Sequence, residues 1–86
     1  MTSSRYRLQF GQAAFEFWKR QAPDEQVRLS EKFAWLAVHP HHEGDWRDVD
    51  TMGFRVFLSA CGPFLISHRT DHAVCEVRIQ DVVAEW

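Results

Sequence analysis

Residues Gly53 to Ile79 read GFRVFLSACGPFLISHRTDHAVCEVRI, and this stretch decides the fold. Three apolar runs, Phe54 to Leu58, Phe64 to Arg69 and Val74 to Ile79, are separated by two turn signals. The runs are rich in aromatic and β-branched residues, which pack well on a pleated surface. Gly62-Pro63 punctuates the first turn, and Asp71 suits the second. The pattern predicts a three-stranded antiparallel meander.

Side chains alternate across a sheet, so register decides which residues share a face. Turns centred on Cys61-Gly62 and Asp71-His72 would set Phe57 opposite Ile66, and Ile66 opposite Val77. One face then carries Phe57, Phe64, Ile66, Cys75, Val77 and Ile79, and is expected to be the core. Arg55 and His68 would pair at the open end of that side and reach water by snorkelling. The other face carries Phe54, Val56, Leu58, Leu65, Ser67, Arg69, Val74, Glu76 and Arg78. A one-residue slip of any strand would bring Arg and Glu into the core.

Upstream, Arg5-Tyr6-Arg7-Leu8-Gln9-Phe10 alternates strictly, as a half-buried strand does. Tyr6, Leu8 and Phe10 would face in, with Arg5, Arg7 and Gln9 facing out. Gln12 to Gln21 spaces Ala13, Ala14, Phe17 and Trp18 along one stripe of a helix. Pro23 stops that helix, and Asp24 is placed to cap the next. Val27, Leu29, Phe33, Leu36 and Ala37 give the second helix its apolar side, and His39-Pro40 ends it. A short link makes the two helices an αα-hairpin that must cover the apolar face of the sheet. Trp46 to Asp50 reads either as a short edge strand or as loop. Residues 80–86 either extend the last strand or form a final helical turn.

Eighty-six residues bound the chain to a single domain, 1–86. Twelve aromatics within a 45% hydrophobic composition supply a core that needs no metal or disulfide. A formal charge of −2 argues against sequence-independent nucleic-acid binding. Cys61 and Cys75 are expected too far apart to bridge, which points to a reduced, cytoplasmic protein. No signal peptide is visible, and no apolar run approaches the ~20 residues of a membrane span.

Three side-chain groups are candidates for chemistry. Arg5, Arg7, Arg69 and Arg78 share the outward face with Glu76, which would pair with one of them. They fit contact with phosphate or with an acidic partner, or cross-strand ion pairs on a solvated face. Arg47, Arg55 and His68 are secondary candidates, with His68 set opposite Cys75 as a nucleophile–base pair. His39, His41, His42, Glu43 and Asp45 fall within seven residues. Their spacing matches no helical or finger-type metal pattern, so a solvated loop is expected, with no metal and no cofactor.

The alternating first strand, Leu36-Ala-Val-His-Pro40, Gly44-Asp45, Gly53-Phe54-Arg55, Gly62 to Ile66, and Val74 to Ile79 with Val82 together carry a resemblance. In that order they resemble the RelE/ParE superfamily, toxin subunits of bacterial type II toxin–antitoxin (plasmid stabilisation) modules. The resemblance covers nearly the whole chain. It implies an α+β fold, β-α-α-β(3-4), with an antiparallel sheet packed on an αα-hairpin. It implies an antitoxin partner and a toxin acting on translation, by mRNA cleavage on the ribosome, or on DNA gyrase. In the ribonuclease branch an Arg usually follows the aromatic that starts the second meander strand, and here Leu65 stands there. That branch also places Arg with Tyr or His near the C-terminus, and here Val82-Val-Ala-Glu-Trp86 carries neither. Arg55 is the match for a basic residue of the first meander strand. The alternative is an inactive relative or a non-catalytic protein-binding module on the same fold.

Overall fold

The computed structural model describes residues 5–84; Glu85 and Trp86, part of the last segment considered above, lie outside them. The elements run β1 (Arg7–Phe10), α1 (Gln12–Lys19), α2 (Pro23–Val38), β2 (Trp46–Val49), β3 (Arg55–Cys61), β4 (Phe64–Asp71) and β5 (Glu76–Ala84). The five strands form one sheet in the order β1-β5-β4-β3-β2. The meander is antiparallel, β2 adds to it as an antiparallel edge, and β1 pairs parallel with β5. Residues 46–49 are thus a strand, and the segment after Ile79 continues β5 to Ala84.

Register differs from expectation in a way that spares the faces. The first turn centres on Gly62-Pro63, so Ser59 and not Phe57 lies opposite Ile66. Gly62 takes φ +59, the positive value that a tight two-residue hairpin needs at its first turn position. The second hairpin runs to Asp71 and turns through residues 72–75, setting Thr70 opposite Val77 and Ile66 opposite Val82. A shift of two or four residues preserves side-chain alternation. Past His68 the register changes once more: His68 faces Ile79 and Ser67 faces Asp81, leaving Gln80 as the extra residue of a bulge. The bulge lets both Ile79 and Val82 point into the core.

That core joins Ala14, Leu29, Phe33 and Leu36 of the helices to Cys61, Phe64, Ile66, Val77, Ile79 and Val82 of the sheet. Tyr6, Leu8, Phe17 and Trp18 pack around it. Ile66, Ile79 and Leu29 are fully buried, each contributing about 1.5–3 kcal/mol. Cys75 does not belong to it. It closes the β4–β5 turn at φ +56 and is exposed. Phe57 is half-buried, and α2 meets β3 near Cys61, at the other end of that strand.

The helices start differently from expectation. Ala22 is the N-cap of α2 and Pro23 opens its first turn, where a missing N–H costs nothing. Asp24 sits inside that turn with Glu25, favourably placed on the helix dipole. Val27 is 57% exposed and lies off the buried stripe. Phe10, expected to face in, is 41% exposed at the sheet edge, with its ring edge-on to Phe33. Among the described residues no helix is long and apolar enough to cross a membrane.

Candidate functional site

The helices cover one side of the sheet and leave the other open. On the open side, odd positions of β4 and even positions of β3 form rows across the strands. Near the Gly62 hairpin the row is Ala60, Leu65 and Val83. The next is Trp46, Leu58, Ser67 and Asp81. Then Arg69 stands directly opposite Arg78, and Asp71 opposite Glu76, with Arg7 beside Glu76 on β1.

Of the expected basic residues, Arg7, Arg69 and Arg78 therefore come together. Arg78 bonds Asp71 Oδ2 and Glu76 Oε1, both at 3.3 Å, and Arg7 bonds Glu76 Oε2 at 3.2 Å. Glu76 thus serves two arginines. Arg69 has no carboxylate partner among the described residues; its guanidinium lies 4.8 Å over the Phe54 ring. Like charges directly opposite on a sheet are destabilising, so this arginine pair is unfavourable in the isolated chain. Arg5 is exposed just ahead of β1. Arg47 pairs with Glu43 on the edge, and Arg55 is exposed on the helix side opposite Val49, so neither joins the open face.

Apolar side chains share that face without cover. Trp46 is 49% exposed and Phe54 52%, while Leu58 and Leu65 are half-buried. Val56 is buried although it too points this way. Asp48 stands opposite it on β2.

The histidines go elsewhere. His68, expected at the water-exposed end and opposite Cys75, is 1% exposed and lies between Phe57 and Ile79. Its Nε2 is 2.7 Å from Ser59 Oγ, itself fully buried. Burial first, then His42 and Lys32, push its pKa down to about 4 against the pull of Asp45. His68 is therefore neutral at pH 7, and the pair closes on itself away from solvent. The nucleophile–base pair with Cys75 is ruled out by this placement. Cys61 is no better a nucleophile, since burial raises its thiol and its Sγ points to the Arg28 carbonyl.

The loop histidines are more ordered than a solvated loop suggests. His39 stacks on Trp35 at 4.0 Å, His42 meets the same indole edge-on at 4.9 Å, and Lys32 lies 4.4 Å over it. His41 stacks on His72 at 4.7 Å, and His72 Nδ1 meets the Tyr6 hydroxyl at 3.0 Å. All five histidines of the chain are in this corner, and of them His68 is the buried one. Among the described residues no three His, Cys, Asp or Glu side chains converge as a metal site requires. Sequence reasoning missed the role of Trp35, although Lys32, Trp35 and His39 stand at helical i, i+3 and i+4 spacings that bring side chains together.

No family model matches the sequence, and no curated protein does. Solved structures do. A chain of the toxin–antitoxin complex RelBE2 from Mycobacterium tuberculosis superposes with a TM-score of 0.77 at 20% identity, over 93% of this chain and 91% of that one. The fold is that of the RelE toxins. A chain of the archaeal RelE–RelB complex from Pyrococcus horikoshii gives 0.74 at 12% identity over 94% and 96% of the two chains. A chain of the intact E. coli RelBE toxin–antitoxin complex gives 0.63 at 12% over 90% and 93%. The likeness therefore extends over nearly the whole chain. At these identities what is shared is the fold.

Proposed function

We propose that the chain is a toxin-like subunit of a type II toxin–antitoxin module, held by an antitoxin protein and acting through the open face of its sheet. The observation that carries this reading is the near-complete, two-way overlap with three chains taken from toxin–antitoxin complexes. The uncovered patch of Trp46, Leu58 and Leu65, drawn from two adjacent rows, supports a protein partner, since apolar patches on a sheet face commonly mark an interface.

The chemistry of the open face favours action by binding over mRNA cleavage. Cleavage by a ribose 2′-hydroxyl needs a group that accepts its proton and cations that hold the developing charge. Arg69 and Arg78 supply cations. The described strand residues of this face include no His, Lys or Tyr; of its acids, Asp71 and Glu76 are bound to arginines, and Asp48 and Asp81 accept from the backbone N–H groups of Val49 and Val82. A poison of DNA gyrase, or an inactive relative that binds without catalysis, needs no such set.

The test is induction of the chain in a bacterial host. Growth arrest is expected, relieved by co-expression of an antitoxin from a neighbouring reading frame, and lost in the Arg69→Ala, Arg78→Ala double variant. If arrest occurs, intact mRNA ends with impaired gyrase supercoiling support the binding reading, and new mRNA ends in place of that impairment support cleavage. Unimpeded growth at full expression overturns the toxin reading.

A further inference from the structure

We infer that the free edge of β1 pairs with the same edge of a second copy of this chain, across a two-fold axis at Gln9. The inference goes beyond the proposed function. It concerns the rim of the sheet and leaves the open face uncovered.

Strand β1 ends the sheet order β1-β5-β4-β3-β2. Arg7 N–H donates to the Cys75 carbonyl at 3.0 Å, and Gly11 N–H to the Ile79 carbonyl at 2.8 Å. Odd residues of β1 therefore turn their backbone groups toward β5, and even residues turn theirs outward. On the outward side, Tyr6 N–H is taken by the Ala37 carbonyl of α2 at 2.8 Å. Among the described residues, the N–H and C=O groups of Leu8 and Phe10 have no backbone partner. Arg7, Gln9 and Phe10 are exposed along the same strand. Such an edge is a ready template for another strand.

Symmetry identifies that strand. A two-fold perpendicular to the sheet sets residues of one face opposite each other. An axis at Gln9 sets Leu8 opposite Phe10 of the second copy, and Phe10 opposite Leu8. Both are hydrogen-bonded pairs, and every free group of Leu8 and Phe10 in both copies finds a partner. An axis at Leu8 would oppose Phe10 to Tyr6, whose N–H is already engaged. An axis at Phe10 would oppose Leu8 to Gln12, which belongs to α1.

Side chains agree with the same register. On the helix side it joins two Leu8–Phe10 pairs and covers Phe10, which is 41% exposed in the single chain. Beside them lies an apolar groove of about 250 Å³ lined by Phe10, Phe15, Trp18, Ser30 and Phe33. On the open side Gln9 meets itself and Arg7 meets Gly11, so no like charges stand opposite each other. The other edge is guarded. On β2, two-fold axes at Arg47 or at Asp48 set each charge against its own copy. A formal charge of −2 per copy adds little long-range repulsion.

Sedimentation velocity of the full chain over a range of concentrations reads the equilibrium. A monomer–dimer transition with Kd below about 100 µM is expected. Amides of Leu8 and Phe10 should gain protection from hydrogen exchange as concentration rises, while those of β2 do not. Gln9→Lys places two like charges at the axis and should raise Kd about fivefold, as should Gln9→Glu. Gln9 is exposed, and circular dichroism checks that both variants fold. An equal mixture of the two should recover dimer as a heterodimer, because the charges at the axis then attract. The inference is overturned by a chain that stays monomeric up to about 1 mM. It is equally overturned by a dimer indifferent to charge at Gln9, by a mixture no more dimeric than either variant alone, or by protection that appears at β2 instead of β1.

Discussion

Strand β4 has two sides that differ in completeness. Phe64, Ile66 and His68 point to the helices; Leu65, Ser67 and Arg69 point away. The first side is finished. Its hydrophobic residues touch helix side chains, and its one buried titratable group, His68, is neutral and paired with Ser59. The second side is unfinished. Its leucines are half-covered, and an arginine faces another arginine with only a ring beneath it. A small domain needs one buried face to fold, and the face left over is free to answer to a partner.

The sharpest way to break this contrast is a charge at adjacent positions. Ile66→Asp should cost at least about 4 kcal/mol and leave the chain unfolded at 25 °C, because the carboxylate enters a dry core. Leu65→Asp should stay within about 1 kcal/mol of the parent. Denaturant melts of the two variants compare the faces directly.

A pH titration of stability isolates the one ionisable group of the finished side. With its pKa lowered to about 4 from 6.5, His68 refuses a proton that the unfolded chain accepts. Its stabilising contribution is complete above about pH 6.5 and falls as pH drops through about 4, by about 3 kcal/mol at most. In His68→Leu that part of the pH dependence should vanish. Stability at pH 7 should also fall by about 1–3 kcal/mol, as the Ser59 hydroxyl loses its buried partner.

Gly62→Ala probes the hairpin that joins the faces. It should cost about 1–2 kcal/mol, from the positive φ and from collision of the new Cβ with the Arg28 guanidinium. Arg28→Ala should recover the steric part but not the conformational part. The smallest effect belongs to the unfinished side: Arg69→Ala should change stability by no more than about 0.5 kcal/mol, or raise it slightly, since it removes like-charge repulsion.

The faces were legible in the sequence because alternation has period two. The first turn centres on Gly62-Pro63, one residue beyond its expected centre, and the partner of Ile66 moved from Phe57 to Ser59, yet no side chain changed sides. What could not be read was anything set by pairing partners. His68 looked water-exposed because its neighbour Ser59 becomes visible only with the true register. Cys75 looked like a core residue because nothing local signals a non-glycine turn at φ +56. The bulge at Gln80 is equally silent, although it alone lets Val82 rejoin the core. Arg7, Arg69 and Arg78 were correctly grouped, while the degree to which Asp71 and Glu76 neutralise them needed coordinates.

The most direct measurement is paramagnetic relaxation of methyl resonances by a soluble gadolinium chelate in the free chain. Methyls of Leu58, Leu65 and Val83 should relax strongly, and those of Ile66, Val77, Ile79 and Val82 should be protected. Strong relaxation at Ile66 and Val77 with protection at Leu65 and Val83 would contradict the assignment of the two faces, and with it the docking surface.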